Sequence, residues 1–331
     1  MYRHLKTLAI MLLALLFLGT TDAIGAPVQP PAPTTSWYVY VTSNEKDSAL
    51  YTWMYNTGKQ YGGHSVKPQG FVVLDFGQPW KSGQAYGTWS FDPRFGRFLS
   101  TSTIQEAVKQ YIRGFAVGAI TAGSSGFLWL GVGTNNNGPF VTEAHGQAWA
   151  NMMASIQAWL DESGVGERVL LRTASDIELG YSTPDKVASW FEGYEGVPGA
   201  GSIFVYNYGD AQGCPQAGSS AIPKPCSGKP GWSQEKITYH TLLTIPEIYS
   251  TAGGNAKQWQ QLVLYYYLRY NYKPTPFGAM SQRQACQQKG GCQGIDNTPA
   301  QAWTQLRNRL ASDPRTLSND PYFSTDIKWR K

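Results

Sequence analysis

Arg168-Val-Leu-Leu-Arg-Thr-Ala-Ser-Asp-Ile-Glu-Leu-Gly180 is a short apolar run that ends in an acid-x-acid pair, Asp176 and Glu178. Read as a strand, its period of two turns both carboxylates to one face, with their Cα atoms roughly 6.5–7 Å apart. Two acids at the end of a buried strand suit acid/base chemistry. Glycoside hydrolysis commonly uses such a pair, one carboxyl kept protonated for the leaving oxygen and the other ionised. The plainer reading pairs one acid with a base and lets the other cap a loop.

Outward from this run the same pattern recurs. Strand-like stretches lie at Trp37 to Val41, Phe71 to Phe76, Phe127 to Val132, Val169 to Ala174, Ser202 to Tyr208, Leu242 to Tyr249 and Phe277 to Ser281. Helical patterns fall at Ile104 to Val117, Glu143 to Leu160, Pro184 to Tyr194, Asn255 to Tyr270 and Pro299 to Leu310. Thr183-Pro184 and Thr298-Pro299 are start signals, a capping threonine before a proline in the first turn. Strand–helix alternation predicts an α/β fold with a parallel sheet and crossover helices. Seven candidate strands predict a TIM-like (β/α) barrel, closed or nearly closed, in a single domain over residues 37–331. A doubly wound nucleotide binder is disfavoured, since GxxxxGK[ST] is absent and Gly131-Val-Gly133-Thr-Asn-Asn136 lacks the third glycine of GxGxxG. Residues 37–70 are less legible and could hold a strand, a hairpin or a lid.

Before the domain, residues 1–26 read as a secretory signal, with basic Arg3 and Lys6, an apolar stretch from Leu8 to Leu18, and Ala23 or Ala26 as cleavage points. Residues 27–36 are Pro-rich and read as a linker. The chain is therefore expected to be secreted, with no membrane span after cleavage. Cys214, Cys226, Cys286 and Cys292 are an even set in an oxidising compartment, and local bridges 214–226 and 286–292 are the simplest of three pairings. Zinc is the rival reading, but there is no CxxC or HExxH, so no metal is expected. No cofactor is expected either. The formal charge of +5, about +4 without the signal, is spread without a basic block, which argues against nucleic acid. Twelve Trp and twenty Tyr supply flat amphipathic faces suited to sugar rings as well as to a core.

In a (β/α) barrel the chemistry gathers at the C-terminal strand ends. The residues expected there are Asp75 and Trp80 after one strand, Asn135 after the next, then Asp176, Glu178 and Tyr181, then Asn207, Tyr208 and Asp210, then Glu247 and Tyr249, then Gln282. Acids, amides and tyrosines suit a sugar cleft. Each has a structural alternative: Asn135 to Asn137 are ordinary turn formers, Asp210 suits a turn, and the tyrosines can pack with satisfied hydroxyls.

Ser175-Asp-Ile-Glu-Leu-Gly-Tyr181, Trp190-Phe-Glu-Gly-Tyr194, Tyr206-Asn-Tyr-Gly-Asp-Ala-Gln-Gly-Cys214, Pro246-Glu-Ile-Tyr249, Asn255-Ala-Lys-Gln-Trp259 and Asp296-Asn-Thr-Pro-Ala-Gln-Ala-Trp303 carry a resemblance over most of residues 70–325. The chain resembles secreted glycoside-hydrolase-like barrels of filamentous Gram-positive bacteria, themselves distantly similar to family 25 lysozyme-like hydrolases. The resemblance implies Glu178 as proton donor, Asp176 as its electrostatic partner or as the group orienting a substrate amide, and Asp75 as a further cleft acid. It also implies a polysaccharide or peptidoglycan-like substrate. Two features depart from the lysozyme pattern: Leu74-Asp75-Phe76-Gly77 replaces an Asp-Val-Ser-like start, and the cysteine-bearing insertions have no counterpart. A non-catalytic carbohydrate-binding barrel is the alternative, because no unambiguous nucleophile stands opposite Glu178.

Overall fold

The structure is a computed structural model that describes residues 28–64, 69–238, 243–274, 276–317 and 319–330. The signal-peptide reading of residues 1–26 lies outside the described residues. Ten strands and eight helices are found among them. The strands are β1 (Thr34–Tyr38), β2 (Gln69–Asp75), β3 (Gln78–Ser82), β4 (Ala85–Trp89), β5 (Phe98–Ser100), β6 (Phe127–Asn135), β7 (Val169–Asp176), β8 (Val205–Asn207), β9 (Gly278–Ser281) and β10 (Phe323–Trp329). The helices are α1 (Asp47–Gly63), α2 (Thr101–Thr121), α3 (Glu143–Glu162), α4 (Pro184–Glu195), α5 (Gln234–Thr238), α6 (Gly254–Tyr270), α7 (Arg283–Gln288) and α8 (Pro299–Ala311).

Seven strands form one parallel sheet in the order β8-β7-β6-β2-β1-β10-β9. The sheet curls into a half-barrel, and the closed TIM-like barrel expected from the alternation is not what forms. Leu242 to Tyr249, read as a strand, is the reason. Its described part, residues 243–249, crosses between the two edge strands with only isolated bridges, Asn207 to Thr244 and Glu247 to Met280. Pro246 brings no N–H to a ladder, and the pairing passes from β8 to β9 partway along the segment. The strict strand–helix alternation also breaks after β2, where β3, β4 and β5 make a separate antiparallel sheet.

Two boundaries differ from the sequence reading. β1 begins at Thr34, so the last three residues assigned to the linker sit in the sheet between β2 and β10. The Thr34 hydroxyl donates to the Phe71 carbonyl, and Ser36 bonds the Thr325 hydroxyl at 2.8 Å. Two short polar side chains thus replace the apolar signal by which a buried strand is ordinarily recognised. The obscure stretch 37–70 supplies α1, which packs on α2 through facing glycines. A Cβ added to Gly58 would lie 2.1 Å from the Tyr111 carbonyl oxygen, and one on Gly114 2.0 Å from that of Tyr55. Only glycine admits backbones so close.

Pro184 and Pro299 enter α4 and α8 as expected; Thr298 forms a full capping box with Gln301, whereas the side chain of Thr183, expected to cap α4, makes no cap bond. The local disulfides Cys214–Cys226 and Cys286–Cys292 are formed. No helix among the described residues is long and apolar enough to cross a membrane.

His145 on α3 ties the small antiparallel sheet to α4. Its Nε2 donates to the Gly87 carbonyl at 2.8 Å and its Nδ1 accepts from the Trp190 indole at 2.9 Å, so the ring is the neutral Nε2–H tautomer. Burial pushes its pKa from 6.5 down to about 4. The unfolded chain therefore takes up a proton that the folded chain refuses between those values. Stability contributed at this site is complete above pH 6.5 and falls by about 3 kcal/mol as pH drops to about 4. Urea unfolding of the wild type and of His145→Gln at pH 7, 5.5 and 4 checks this: acidification should cost the wild type more than the variant.

Candidate active site

The C-terminal ends of the parallel strands bring five carboxyls to one mouth. Asp75 ends β2, Asp176 ends β7, Glu178 lies two residues beyond it, Asp210 follows β8, and Glu247 sits on the crossing segment. Along β7 and beyond, Asp176 and Glu178 share one face while Ile177 turns into the core. Asp75 is 0 % exposed, Glu247 1 % and Asp176 6 %, whereas Glu178 and Asp210 are half-buried. The outer two can therefore meet solvent and the inner three cannot.

Two of the acids are held by the turn that follows them. The Asp75 carboxylate accepts from the Gly77 N–H at 2.8 Å, and Asp210 accepts from the Gln212 N–H at 3.1 Å. Glu178 is clamped through its backbone: its N–H donates to Asn136 Oδ1, and Asn136 Nδ2 donates to its carbonyl, both at 3.0 Å. The Tyr208 phenol faces Asp75, in room left by Gly133, where a Cβ would lie 2.9 Å from the hydroxyl.

Burial governs the proton affinities. It lifts Asp75 to about 7 against the opposing hydrogen bonds of Gly77 and Tyr208. Burial also raises Asp176, with the charges of Glu178, Asp75 and Asp210 adding to it. Glu247 rises well above the carboxylate range through burial and then through Asp176, Glu178 and Asp210. Glu178 reaches about 7 by burial and the nearby Asp210, against a hydrogen bond from Glu247 and the charge of Lys229. Asp210 is raised by burial, but the Gln212 N–H, Lys229 and a hydrogen bond from Glu178 pull it back. Glu247, Glu178 and Asp210 thus shift one another's proton affinity.

Asp176, Glu178 and Glu247 each place one oxygen within 4.8 Å of the others. Oxygens so spaced could accept a hard divalent cation, a possibility that a search for His and Cys spacings does not reveal.

The remaining expected residues divide. Tyr181 is 49 % exposed beside the acids, whose charges raise its phenol after burial. Tyr208 lies inside the cluster and feels Asp75, Asp176 and Glu247. Asn207 and Asn135 are turn formers: Asn207 Oδ1 accepts from Gly209 N–H at 2.9 Å, and Asn135 Oδ1 from Asn137 N–H at 3.0 Å. Trp80 packs with Trp89 and Phe140 next to the small sheet. Gln282 begins α7, its carbonyl accepting from Cys286 N–H. Tyr249 follows the crossing segment, and its carbonyl accepts from Asn297 N–H.

Residue reading missed Asn136, Tyr38 and Lys229. Tyr38, at the end of β1, feels Glu247, Asp176 and Asp75. Asn136 was legible only as one of three turn-forming asparagines. Its clamp gives a direct expectation: Asn136→Ala should leave the fold intact and free the backbone at Glu178, read as faster amide hydrogen exchange at Glu178. No protein-family model matches this chain, and no curated protein matches its sequence.

Proposed function

We propose that the protein is an extracellular glycoside hydrolase that cleaves a cell-wall or other polysaccharide at this mouth. The crowding of carboxyls at one mouth carries the reading: Asp176, Glu178 and Glu247 each have an oxygen within 4.8 Å of the others, and burial lifts Glu178 to about 7, where it can carry a proton near neutral pH. Glu178 donates its proton to the glycosidic oxygen, and Asp210 attacks or stabilises the sugar cation from the ionised side. Asp75, Asp176 and Glu247 form the buried base of the site and hold the charge pattern. Tyr181 offers an exposed ring for a sugar face. The two disulfides suit a secreted protein.

Retaining pairs stand about 5–5.5 Å apart and inverting pairs about 6.5–9.5 Å, so the anomer first formed decides whether Asp210 or a water is the nucleophile. The test is incubation with a panel of purified polysaccharides, following reducing ends and the anomer first formed by proton NMR. Inverted product would remove Asp210 from the nucleophile role.

A second reading, a non-catalytic carbohydrate-binding protein, is favoured by the depth of Asp75, Asp176 and Glu247, which no substrate atom reaches. Binding without release of reducing ends, equal in wild type and Glu178→Gln, would select it.

A further inference from the structure

Asp176 and Glu178 stand two residues apart at the end of β7, and Glu247 meets them from the crossing segment. Each brings a carboxylate oxygen within 4.8 Å of the other two. Among the described residues no ion pair reaches any of the three. Asp176 is 6 % exposed and Glu247 1 %, yet Asp176 Oδ1 and Glu247 Oε2 accept no hydrogen bond from the protein. Leaving a carboxylate oxygen buried without a partner is costly, and folded proteins meet such oxygens with a donor, a water or an ion.

The backbone fixes all three before any ligand arrives. Asn136 N–H donates to the Asp176 carbonyl at 3.1 Å, while the Asn136 side chain brackets the Glu178 residue with two bonds of 3.0 Å. Glu247 N–H donates to the Gly209 carbonyl at 3.2 Å. On either side of it, the Pro246 carbonyl accepts from Met280 N–H at 2.9 Å and Ile248 N–H donates to the Met280 carbonyl at 2.8 Å. Little ordering is therefore left for binding to impose. Glu178 is half-buried, so the cluster opens to solvent on that side and a bound ion keeps waters there.

We propose that Asp176, Glu178 and Glu247 form a binding site for one calcium ion. The donors are oxygens alone, which selects a hard cation. Calcium holds its ligands at about 2.3–2.6 Å, so opposite ligands stand about 4.6–5.2 Å apart and three oxygens within 4.8 Å of one another fit around it. Magnesium, with ligands at about 2.0–2.1 Å in a strict octahedron, tolerates a spread of only about 4.2 Å. One further consequence rests on the hydrolase reading. Glu178 cannot ligate an ion and give a proton to a leaving oxygen at once, so calcium turns hydrolysis down.

The test uses the intact protein, cleared of metal with EDTA and dialysed. Titration calorimetry with calcium chloride at pH 7 should find one ion per chain with Kd on the order of 10⁻⁴ M or tighter. Asp176→Asn and Glu247→Gln keep the shape and remove a ligand charge, and each should weaken binding at least about tenfold. Glu178→Gln, expected to fold, is the third such variant should either inner one fail to fold. Glu162→Gln, at an exposed acid on α3, should bind as the wild type does. No binding up to about 10 mM calcium, or equal binding in all variants, would overturn the site. On a polysaccharide that the protein cleaves, saturating calcium should lower turnover about tenfold and EDTA should restore it. Calcium that binds without slowing hydrolysis would show that Glu178 is not a ligand, and the proposal is then wrong. If calcium binds through these residues while the wild type releases no sugar even in EDTA, the hydrolase reading fails and the ion site stands.

Discussion

Glu178→Gln should abolish hydrolysis, lowering turnover by about a thousandfold while the protein folds and binds polysaccharide as the wild type does. The amide preserves the shape of the side chain and can still accept from Glu247, but it has no proton to give a leaving oxygen. Its backbone remains clamped by Asn136, so the loss is chemical and not conformational. The wild type should be most active near and below neutral pH, with activity falling on the alkaline side as Glu178 loses its proton at about 7. Residual activity in the variant should lack that alkaline limb. Steady-state rates from pH 4 to 9 on one cleaved polysaccharide check both statements. A variant with wild-type turnover would remove Glu178 from the reaction.

Asp75→Asn should make the protein more stable at pH 8 and no more stable at pH 3. Asp75 is fully buried, and burial raises its pKa from 3.8 to about 7. Between these values the folded chain keeps a proton that the unfolded chain has released, so stability contributed at this site is complete below about pH 4 and is lost as pH rises through 7. At pH 8 the full cost of ionising a desolvated carboxyl is present, on the order of 4 kcal/mol from a shift of roughly three units. Asparagine cannot ionise and keeps an oxygen for the Gly77 N–H. The expected gain is on the order of 10 °C in melting temperature at pH 8, fading to nothing at pH 3, measured by thermal unfolding across that range. A variant less stable than wild type at pH 8 would show that the carboxylate is compensated in the folded protein. Activity should fall in the same variant, since the buried charge pattern is costly to the fold and useful only to the site.

The two expectations share one cause. Parallel strands end together, and a strand-end acid has the low-dielectric sheet below it and the turn amides beside it. Asp176 and Glu247, both buried, are raised by burial and then by the charges of neighbouring acids, the half-buried Glu178 and Asp210 among them.

The sequence by itself determined much of this. Alternating apolar runs and capped helical stretches identified six of the seven sheet strands in outline and all five long helices after residue 100, because period, turn chemistry and proline placement are local. Spacing alone pointed to the two short disulfide loops. Asp-x-Glu after β7 was legible because residues two apart share a face. Four things needed the tertiary structure. β10 lies at the chain's far end as Phe-Ser-Thr-Asp-Ile-Lys-Trp, too polar to stand out, and becomes a strand because β1 and β9 flank it. The crossing segment with Pro246 looked like a strand, and only its change of partner shows why the sheet stays an open half-barrel. Asn136 and Lys229 look like a turn residue and a surface cation until folding sets them 42 and 51 positions from Glu178 in sequence but beside it in space. Proton affinity was the last, since burial dominates it and burial belongs to the assembled chain: the same carboxyl in the unfolded protein is an ordinary acid.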